Sequence, residues 1–308
     1  MTSIEVRELS KVYRGTRAVD GIDFSVRPGR VTGFLGPNGA GKSTTMRLIL
    51  GLDRPSSGTA TIGGRRFRDI DWPLHTVGAL LDAAAAHPAR TAHAHLLALA
   101  VGNRIPASRV TAVLEEVGLG GVAGRRVRTY SLGMRQRLGI AAALLGDPPV
   151  IMLDEPSNGL DPEGIIWIRE TLRRLAGEGR TVLVSSHLMG ETAAFADHLL
   201  VLGRGRVLAD TALQTFISDH VQPRVRVRTT DEARLREVVA GAGLDAIEDS
   251  GRWFVQGRRL DQIGPLLVDA GVPILELAEE QASLEQAYLQ LTSADSEYAA
   301  ATPTLEKA

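Results

Sequence analysis

Residues 36–43 read Gly-Pro-Asn-Gly-Ala-Gly-Lys-Ser, and the types and spacing of these residues suit the binding of phosphate. Glycine lets backbone N–H groups turn inward around phosphate oxygens, because it has no Cβ atom in the way. Lys42 can reach the β- and γ-phosphates of a nucleotide, and the Ser43 hydroxyl can bind Mg²⁺. The alternative is a glycine-rich turn with a solvated lysine. That alternative is disfavoured because the chain has only three lysines, and one of them stands where a compact positive charge is needed.

Two adjacent carboxylates form a second chemical feature. Asp154 and Glu155 follow the apolar residues 150–153, which predict a short buried strand. At the end of such a strand one carboxylate can hold Mg²⁺ beside the phosphates, and the next can polarise an attacking water. By itself this short pattern is common at strand ends. Together with the phosphate loop it is a strong indication of a nucleotide site.

The elements around these residues are those the chemistry needs. Residues 31–35 predict a buried strand before the phosphate loop, and residues 44–50 predict a helix after it, whose positive dipole end faces the phosphates. Alternation predicts further strands, and apolar periodicity predicts further helices. The predicted strands are 4–9, 22–26, 59–64 with its turn, 181–186 and a hairpin of 199–202 with 206–209; the predicted helices are 91–101, 107–117, 133–145 and 165–176, and the stretch 83–145 forms a helical subdomain.

A second domain is predicted after a break in the pattern near residues 216–222. Beyond the break the order is strand, helix, strand, strand, helix, strand, which is that of a small ferredoxin-like α+β domain. The strands are 224–229, 245–248, 253–256 and 273–277, and the helices are 231–240 and 260–270, with a last helix at 284–291. The predicted domains are therefore 1–215 and 223–292, with residues 293–308 as a polar, flexible tail.

The bulk composition is that of an ordinary globular protein. The chain has 308 residues, is 44% hydrophobic, has a net charge of −1 and contains no cysteine. The charge gives no electrostatic footprint for nucleic acid, and the lack of cysteine excludes disulfides. No signal-like segment is visible at the N-terminus, and no stretch approaches the roughly 18–20 apolar residues of a membrane span.

Three further segments accompany the two nucleotide motifs. Residues 130–137 read Tyr-Ser-Leu-Gly-Met-Arg-Gln-Arg, residues 156–161 read Pro-Ser-Asn-Gly-Leu-Asp, and residues 185–187 read Ser-Ser-His. With these segments in this order, residues 1 to about 215 resemble the ATP-binding subunit of an ABC transporter, in particular the ATPases of bacterial drug and antibiotic exporters. Such ATPases often end in a Leu-Glu-x-x-Phe/Tyr helix, to which residues 284–288 are similar. The resemblance implies an α/β P-loop NTPase core with a helical subdomain.

The resemblance also implies roles for individual residues. Tyr13 would stack on adenine, Glu155 would be the general base, and His187 would contact the γ-phosphate and the region of the base. Lys42 would act with them in catalysis, and Ser43 and Asp154 would hold Mg²⁺. The implied ATP-binding set is Tyr13, Gly36, Pro37, Asn38, Gly39, Ala40, Gly41, Lys42, Ser43 and Thr44.

The signature loop of the family closes over ATP bound to a partner subunit. Ser131 and Gly133 match that loop, and Asp161 matches the loop that crosses the dimer interface, so the resemblance implies a head-to-tail homodimer with two ATP molecules. Leu132 and Met134 depart from the family pattern, which has Gly and Gln there. The family also carries a glutamine where this chain has Asp82, and a carboxylate at that place can approach Mg²⁺ directly or through water.

The function that the resemblance implies is ATP hydrolysis that powers export of a drug, an antibiotic or another small amphipathic compound through a separate transmembrane permease. The subunit would lie on the cytoplasmic face of a bacterial membrane, with ATP and Mg²⁺ as cofactors and no nucleic acid as partner. The alternative is a soluble ABC ATPase that acts on nucleic acid or ribosomes. Such proteins usually carry two cassettes, a coiled-coil insertion or a basic arm, none of which is visible here. For residues 223–292, regulation by a ligand and support of the dimer interface both remain open.

Overall fold

The computed structural model describes residues 2–249, 251–280 and 282–294. The chain divides into two compact units, Met1–Leu213 and Gln214–Ala308. In the described part of the chain, no helix combines the length and the apolar character that a membrane crossing needs.

The first unit contains two sheets and the helices around them. Its elements in chain order are β1 (Ile4–Tyr13), β2 (Thr16–Val26), β3 (Arg30–Leu35), α1 (Lys42–Ile49), β4 (Ser57–Ile62), β5 (Val77–Leu80), α2 (Ala92–Gly102), α3 (Ala107–Glu116), α4 (Leu132–Leu144), β6 (Val150–Asp154), α5 (Pro162–Gly177), β7 (Thr181–Ser186), α6 (Met189–Phe195), β8 (His198–Gly203) and β9 (Arg206–Ala212).

The central sheet has the strand order β5-β6-β7-β3-β8-β9. All neighbours in it are parallel except the terminal pair β8 and β9, which forms the predicted hairpin. Every residue of β7 and all but the last of β6 are buried, as expected for parallel strands covered on both faces. Because parallel strands end at the same edge, the segments that follow β3, β5, β6 and β7 meet there.

A smaller antiparallel sheet of order β2-β1-β4 packs its apolar side into the same core. Its strands are longer than the alternation predicted, since β1 continues to Tyr13 and β2 begins at Thr16. The core beneath α1 joins both sheets, and its largest fully buried members include Phe34, Ile4 and Met46.

One short strand and two short α-helices were not predicted from the sequence. These are β5, α6 and α7 (Leu213–His220). Strand β5 has only four residues and contains Gly78, so its pairing with β6 rather than its own propensity defines it. Helix α7 continues to His220, so a helix occupies most of residues 216–222, where the sequence pattern breaks.

The second unit contains the predicted strand and helix order after α7. Its elements are β10 (Arg224–Thr229), α8 (Glu232–Gly241), β11 (Ala246–Asp249), β12 (Arg252–Gln256), α9 (Leu260–Asp269), β13 (Ile274–Glu280) and α10 (Leu284–Ala294). The strand order β11-β12-β10-β13 is antiparallel throughout, which is the ferredoxin-like arrangement. Helix α10 is three residues longer than predicted, and residues 295–308 of the predicted tail lie outside the described residues.

Candidate active site

The phosphate loop connects β3 to α1 at the edge of the sheet where the parallel strands end. Gly36 and Gly41 have φ angles of 152° and 106°. A Cβ atom at Gly36 would lie 2.3 Å from the carbonyl oxygen of Leu202, and one at Gly41 would lie 2.5 Å from that of Ala18. Both the backbone conformation and the close neighbours therefore require glycine. These constraints leave the loop amides and the N-terminus of α1 around a common concavity.

The loop and the two carboxylates line one cavity of about 360 Å³. The structure thus brings together two motifs that are far apart in sequence, because β3 and β6 both pair with β7. Amides, an ammonium, a hydroxyl and two carboxylates share the space. The lining residues are Ala18, Pro37, Asn38, Gly39, Ala40, Gly41, Lys42, Ser43, Thr44, Asp154 and Glu155.

The Lys42 ammonium is buried in the wall of this cavity. Its Nζ atom donates to the carbonyl oxygens of Gly36 at 2.6 Å and Pro37 at 3.3 Å. Burial lowers the pKa of Lys42 below its ordinary value, while the nearby carboxylates of Glu155 and Asp154 act in the opposite direction. The ammonium is thus largely stripped of water, which strengthens its attraction to an anion that enters the cavity.

The two carboxylates at the end of β6 are oriented by the neighbouring strand β7. The Ser185 hydroxyl donates to Oδ1 of Asp154. The backbone N–H of Glu155 donates to Ser185, to its Oγ at 3.1 Å and to its carbonyl oxygen at 3.2 Å. Glu155 has a φ of 50°, a conformation that non-glycine residues seldom adopt. Such a backbone persists only where surrounding contacts fix it, and Ser185 supplies two of them.

His187 lies directly after β7 and faces the second carboxylate. Its Nδ1 atom is 2.8 Å from Oε2 of Glu155, so the two side chains share a hydrogen bond. About two-fifths of the imidazole is exposed, against about one-fifth of the Glu155 side chain. The pair is therefore open to small molecules on one side and fixed by the protein on the other.

Tyr13 lies outside the residues that line the phosphate cavity. Its hydroxyl donates to Oδ2 of Asp53 at 2.9 Å, and Asp53 forms an ion pair with Arg47 of α1 at 2.7 Å. The Lys11 ammonium lies 4.7 Å from the centre of the ring. Burial, and then the hydrogen bond to Asp53, raise the pKa of Tyr13. The phenol is held at the end of β1, and its ring is partly exposed.

Asp82 does not join the other carboxylates. It follows β5, whose Leu80 is opposite Leu153 of β6, so its backbone is close to the level of Glu155. However, its Oδ1 atom accepts a hydrogen bond from the N–H of Ala84 at 2.7 Å, and the residue lines a separate, largely apolar cavity of about 520 Å³. Asp82 is therefore not among the residues that line the cavity of the phosphate loop.

Ser131 and Gly133 also lie away from the phosphate cavity of their own chain. Ser131 is the N-cap of α4, and its Oγ atom accepts from the N–H of Met134 at 3.2 Å. A Cβ atom at Gly133 would lie 2.7 Å from the carbonyl oxygen of Gly159. The signature segment thus packs against the 156–161 segment, whose last residue, Asp161, caps α5 by accepting from the N–H of Gly164 at 2.9 Å. The structure brings these two segments together, but neither is among the residues that line the cavity of the phosphate loop.

Sequence reasoning missed two residues that shape the site, Ser185 and Gln136. The sequence places Ser185 in a predicted strand and in the Ser-Ser-His segment, but gives it no role in the site. Gln136 is 3% exposed, and its Nε2 atom donates to the carbonyl oxygen of Glu155 at 2.9 Å. A signal for Gln136 was available, because it stands four residues before the buried Ile140 and so shares the apolar face of its helix.

Comparisons with known proteins follow the division into two units. A family model described as ABC transporter matches residues 19–158, and a model described as Domain of unknown function (DUF8746) matches residues 223–285. The first match spans the phosphate loop, the signature segment and both carboxylates of the cavity. The second match covers most of the ferredoxin-like unit.

Similar chains have been described in bacteria. The chain is 31% identical over 299 residues to the uncharacterized ABC transporter ATP-binding protein YdbJ of Bacillus subtilis, with 96% of each chain covered. It is 33% identical over 303 residues to the bacitracin transport ATP-binding protein BcrA of Bacillus licheniformis, with 94% of this chain and 97% of BcrA covered. It is 32% identical over 306 residues to the daunorubicin resistance ATP-binding protein DrrA3 of Streptomyces coeruleorubidus, with 96% and 97% covered.

Two solved structures share the fold of the first unit. The structure of an ATP-binding subunit of an ABC transporter superposes with a TM-score of 0.65 at 28% identity, over 70% of this chain and 92% of that one. A dimeric post-hydrolysis state of the ATP-binding cassette MJ0796, bound to ADP and Pi, superposes with a TM-score of 0.63 at 25% identity, over 68% and 98%.

Proposed function

Because the chain belongs to the ATP-binding subunits of ABC transporters, we propose that its ATP hydrolysis powers the export of a drug, an antibiotic or a similar small amphipathic compound through a separate membrane permease. The family makes the chain a transport ATPase. The cargo is proposed from the printed functions of BcrA and DrrA3. The observation that carries the catalytic part is the single cavity shared by the phosphate loop, Lys42, Asp154 and Glu155.

Binding of ATP is assigned to the loop and the residues around it. The amides of residues 37–44 and the Lys42 ammonium would hold the β- and γ-phosphates, and Tyr13 would stack on the adenine from the end of β1. Ser43 and Asp154 fit a Mg²⁺ ion, because both offer oxygen atoms to the same cavity and Mg²⁺ prefers such ligands. Among the described residues no three His, Asp or Glu side chains converge on a metal position, so phosphate oxygens and water would complete the set. The ion would neutralise charge on the phosphates during transfer.

Hydrolysis is assigned to Glu155. Its carboxylate would take the proton of a water that attacks the γ-phosphorus, while the bond from that phosphorus to the bridging oxygen breaks and ADP leaves. Lys42, which lines the same cavity, would stabilise charge on the phosphate oxygens. His187 holds the Glu155 carboxylate at 2.8 Å and would contact the γ-phosphate with its remaining ring nitrogen.

Dimerisation is supported by the placement of the signature segment. Ser131 and Gly133 do not line the cavity of their own chain, although the N-terminus of α4 suits an anion. We therefore assign them to the γ-phosphate of ATP in a partner copy, with Asp161 at the crossing between the copies. MJ0796, whose fold is similar, has been solved as a dimer.

The catalytic assignment is tested by Glu155→Gln. We expect kcat for ATP hydrolysis to fall about 10²–10⁴-fold, the usual contribution of a positioned base, with ATP binding retained. Glu170→Gln is the matched control, because Glu170 is an exposed glutamate on α5 outside the cavity. A Glu155→Gln protein that hydrolyses ATP at the wild-type rate would refute the mechanism.

The dimer assignment is tested by mixing two inactive variants, Lys42→Ala and Ser131→Ala. If Ser131 serves the ATP of the partner, a mixed dimer contains one intact site, made of Lys42 from one chain and Ser131 from the other. Hydrolysis should then reappear on mixing. If Ser131 served its own ATP, no mixed dimer would contain an intact site and the mixture would stay inactive.

A permease partner is proposed together with a peripheral location on the cytoplasmic face of the membrane. We assign the apolar cavity of about 520 Å³ as the docking surface for the permease. The walls of this cavity come from β5, which lies beside the strand that carries Asp154, and from α4, which begins at the signature segment. An occupant would touch both parts of the site. Leu52 is 56% exposed at its rim.

Pull-down of the tagged protein from gently solubilised native membranes tests this partner. We expect a polytopic membrane protein in the wild-type complex and its loss with Leu52→Glu. Val268→Glu, at an apolar position in the second unit that is 64% exposed, serves as the control. Recovery of only soluble protein, ribosomes or nucleic acid would move the function to the alternative of a soluble ATPase.

A further inference from the structure

The buried glutamine of α4 makes a contact that packing alone does not require. Gln136 is the polar member of the buried side chains of α4, which otherwise are Leu138, Ile140, Ala141, Ala143 and Leu144. A buried amide needs hydrogen-bond partners, so an apolar residue would be the simpler choice at this position. Its Nε2 atom donates to the carbonyl oxygen of Glu155 at 2.9 Å. The amide therefore acts on the backbone of the residue to which we assign the proton transfer.

Glu155 is held at three points, and Gln136 supplies one of them. Its N–H donates to Ser185, its carboxylate shares a hydrogen bond with His187, and its carbonyl accepts from Gln136 at 2.9 Å and from the N–H of Asn158 at 3.2 Å. The φ of 50° is disfavoured for a side chain with a Cβ atom, so the two peptide groups that flank the Cα must be fixed from outside. Without Gln136, the carbonyl of Glu155 keeps only the longer turn bond from the N–H of Asn158, at 3.2 Å. The peptide after Glu155 is then held by a contact within its own turn alone, and the direction of the carboxylate can change with it.

The same helix begins at the signature segment. Ser131 caps α4, and Gln136 follows five residues later, about 7.5 Å along the helix axis. A helix of this length moves as a unit, so a displacement of its capped end is transmitted to the Gln136 amide. Gly133 also contacts the segment that follows Glu155. The end of α4 and the backbone of Glu155 are therefore linked by direct contacts.

We propose that Gln136 is a positioning residue for Glu155, and that it makes the geometry of the base depend on the position of α4. The inference rests on the proposed function, since it concerns the same hydrolysis step. Gln136 would contact neither ATP nor the attacking water, because it acts only through its hydrogen bond to the carbonyl oxygen of Glu155.

The test replaces Gln136 by methionine, which has a similar volume and no donor. We expect kcat to fall about 10–100-fold, because a misplacement of about 1 Å can cost on the order of 10²-fold, while KM for ATP changes by less than about threefold. Ile140→Met is the control, since Ile140 is buried on the same helix and its apolar side chain donates no hydrogen bond to Glu155. Should the methionine protein fold poorly, Gln136→Asn draws the amide back by one methylene, and the same fall in kcat is expected.

A double-mutant cycle separates positioning from simple packing. In the Glu155→Gln background, Gln136→Met should leave the residual rate unchanged, because the base through which it acts is already gone. An equal fall in both backgrounds, or a wild-type kcat for Gln136→Met, would overturn the inference. Those outcomes leave the proposed function standing if kcat of Glu155→Gln is itself reduced by about 10²–10⁴-fold. A wild type without ATPase activity, or an active Glu155→Gln, would instead refute the proposed function.

Discussion

Alanine at Gly78 would place a Cβ atom 1.8 Å from the carbonyl oxygen of Ala143, where β5 and α4 approach each other. Gly133 offers a milder version of the same conflict, with a Cβ atom 2.7 Å from the carbonyl oxygen of Gly159. Gly177, the last residue of α5, has nothing within 4 Å of its Cβ position and is the matched control. The three glycines therefore form a series graded by how closely a neighbouring backbone approaches the added Cβ atom.

The structure gives the order of the three effects. Real Cβ contacts stay beyond about 3.0 Å, so the backbones must separate by about 1.2 Å (3.0 minus 1.8) at Gly78 and by about 0.3 Å (3.0 minus 2.7) at Gly133. Overpacking typically costs about 1–3 kcal/mol, and neither carbonyl can rotate away as a side chain could. We expect a loss of about 3 kcal/mol or more for Gly78→Ala and about 1 kcal/mol for Gly133→Ala. Gly177→Ala should gain up to about 1 kcal/mol from the lower entropy of the unfolded chain.

Thermal unfolding measures this series. A unit of this size shifts its melting temperature by about 2–4 °C per kcal/mol, so Gly78→Ala should lower it by about 6 °C or more and Gly133→Ala by about 2–4 °C. Gly177→Ala should leave the melting temperature equal or higher. If Gly78→Ala were as stable as Gly177→Ala, the contact between β5 and α4 would be wrong, and with it the wall that these elements give to the apolar cavity.

Three further predictions concern the cap of α5, the charge of Lys42 and the second unit. Asp161→Ala should reduce the free energy of unfolding by about 1 kcal/mol, because the N-cap is lost. Asp161→Asn keeps an acceptor and should change the free energy of unfolding by only a few tenths of a kcal/mol. Equal midpoints of urea unfolding for the two variants would contradict the capping role. Burial lowers the pKa of Lys42 and bound phosphate would raise it, so ATP binding at alkaline pH should take up protons and weaken as the pH rises. Calorimetry in buffers of different ionisation enthalpy measures this proton uptake. A binding enthalpy that does not depend on the buffer would contradict the prediction. A chain ending at Gln222 should bind ATP as the whole chain does, since the first unit has its own core. In sedimentation experiments it should dimerise more weakly than the whole chain. Unchanged dimerisation and ATPase activity would show that the second unit does not support the dimer interface.

Several features followed from the sequence because their causes are local. The phosphate loop is one, since its glycines, lysine and serine are contiguous and its flanking strand and helix are strongly patterned. The buried strands β6 and β7 were found from continuous apolar runs. The ferredoxin-like order of the second unit was found from alternation and turns, and the membership of the family from segments with a fixed order. In each case neighbours in the chain supply the reason for the conformation.

Features that depend on contacts between distant residues were not determined this way. Strand β5 has four residues and exists because β6 offers it a partner, and helix α7 extends over most of residues 216–222, where the sequence pattern gave no helix. The sequence suggested Asp82 for Mg²⁺, but its carboxylate caps its own turn and faces an apolar cavity.

The arrangement around Glu155 shows most directly what the sequence pattern leaves undetermined. Its left-handed backbone, its bonds to Ser185 and the donation from Gln136 join three elements that are separate in the sequence. A pattern of residues specifies which face of a helix is buried, but it does not specify which carbonyl that face will meet. The chain thus determined by itself that a nucleotide site exists, whereas only the tertiary structure decided how its base is held, because that depends on distances between elements brought together by packing.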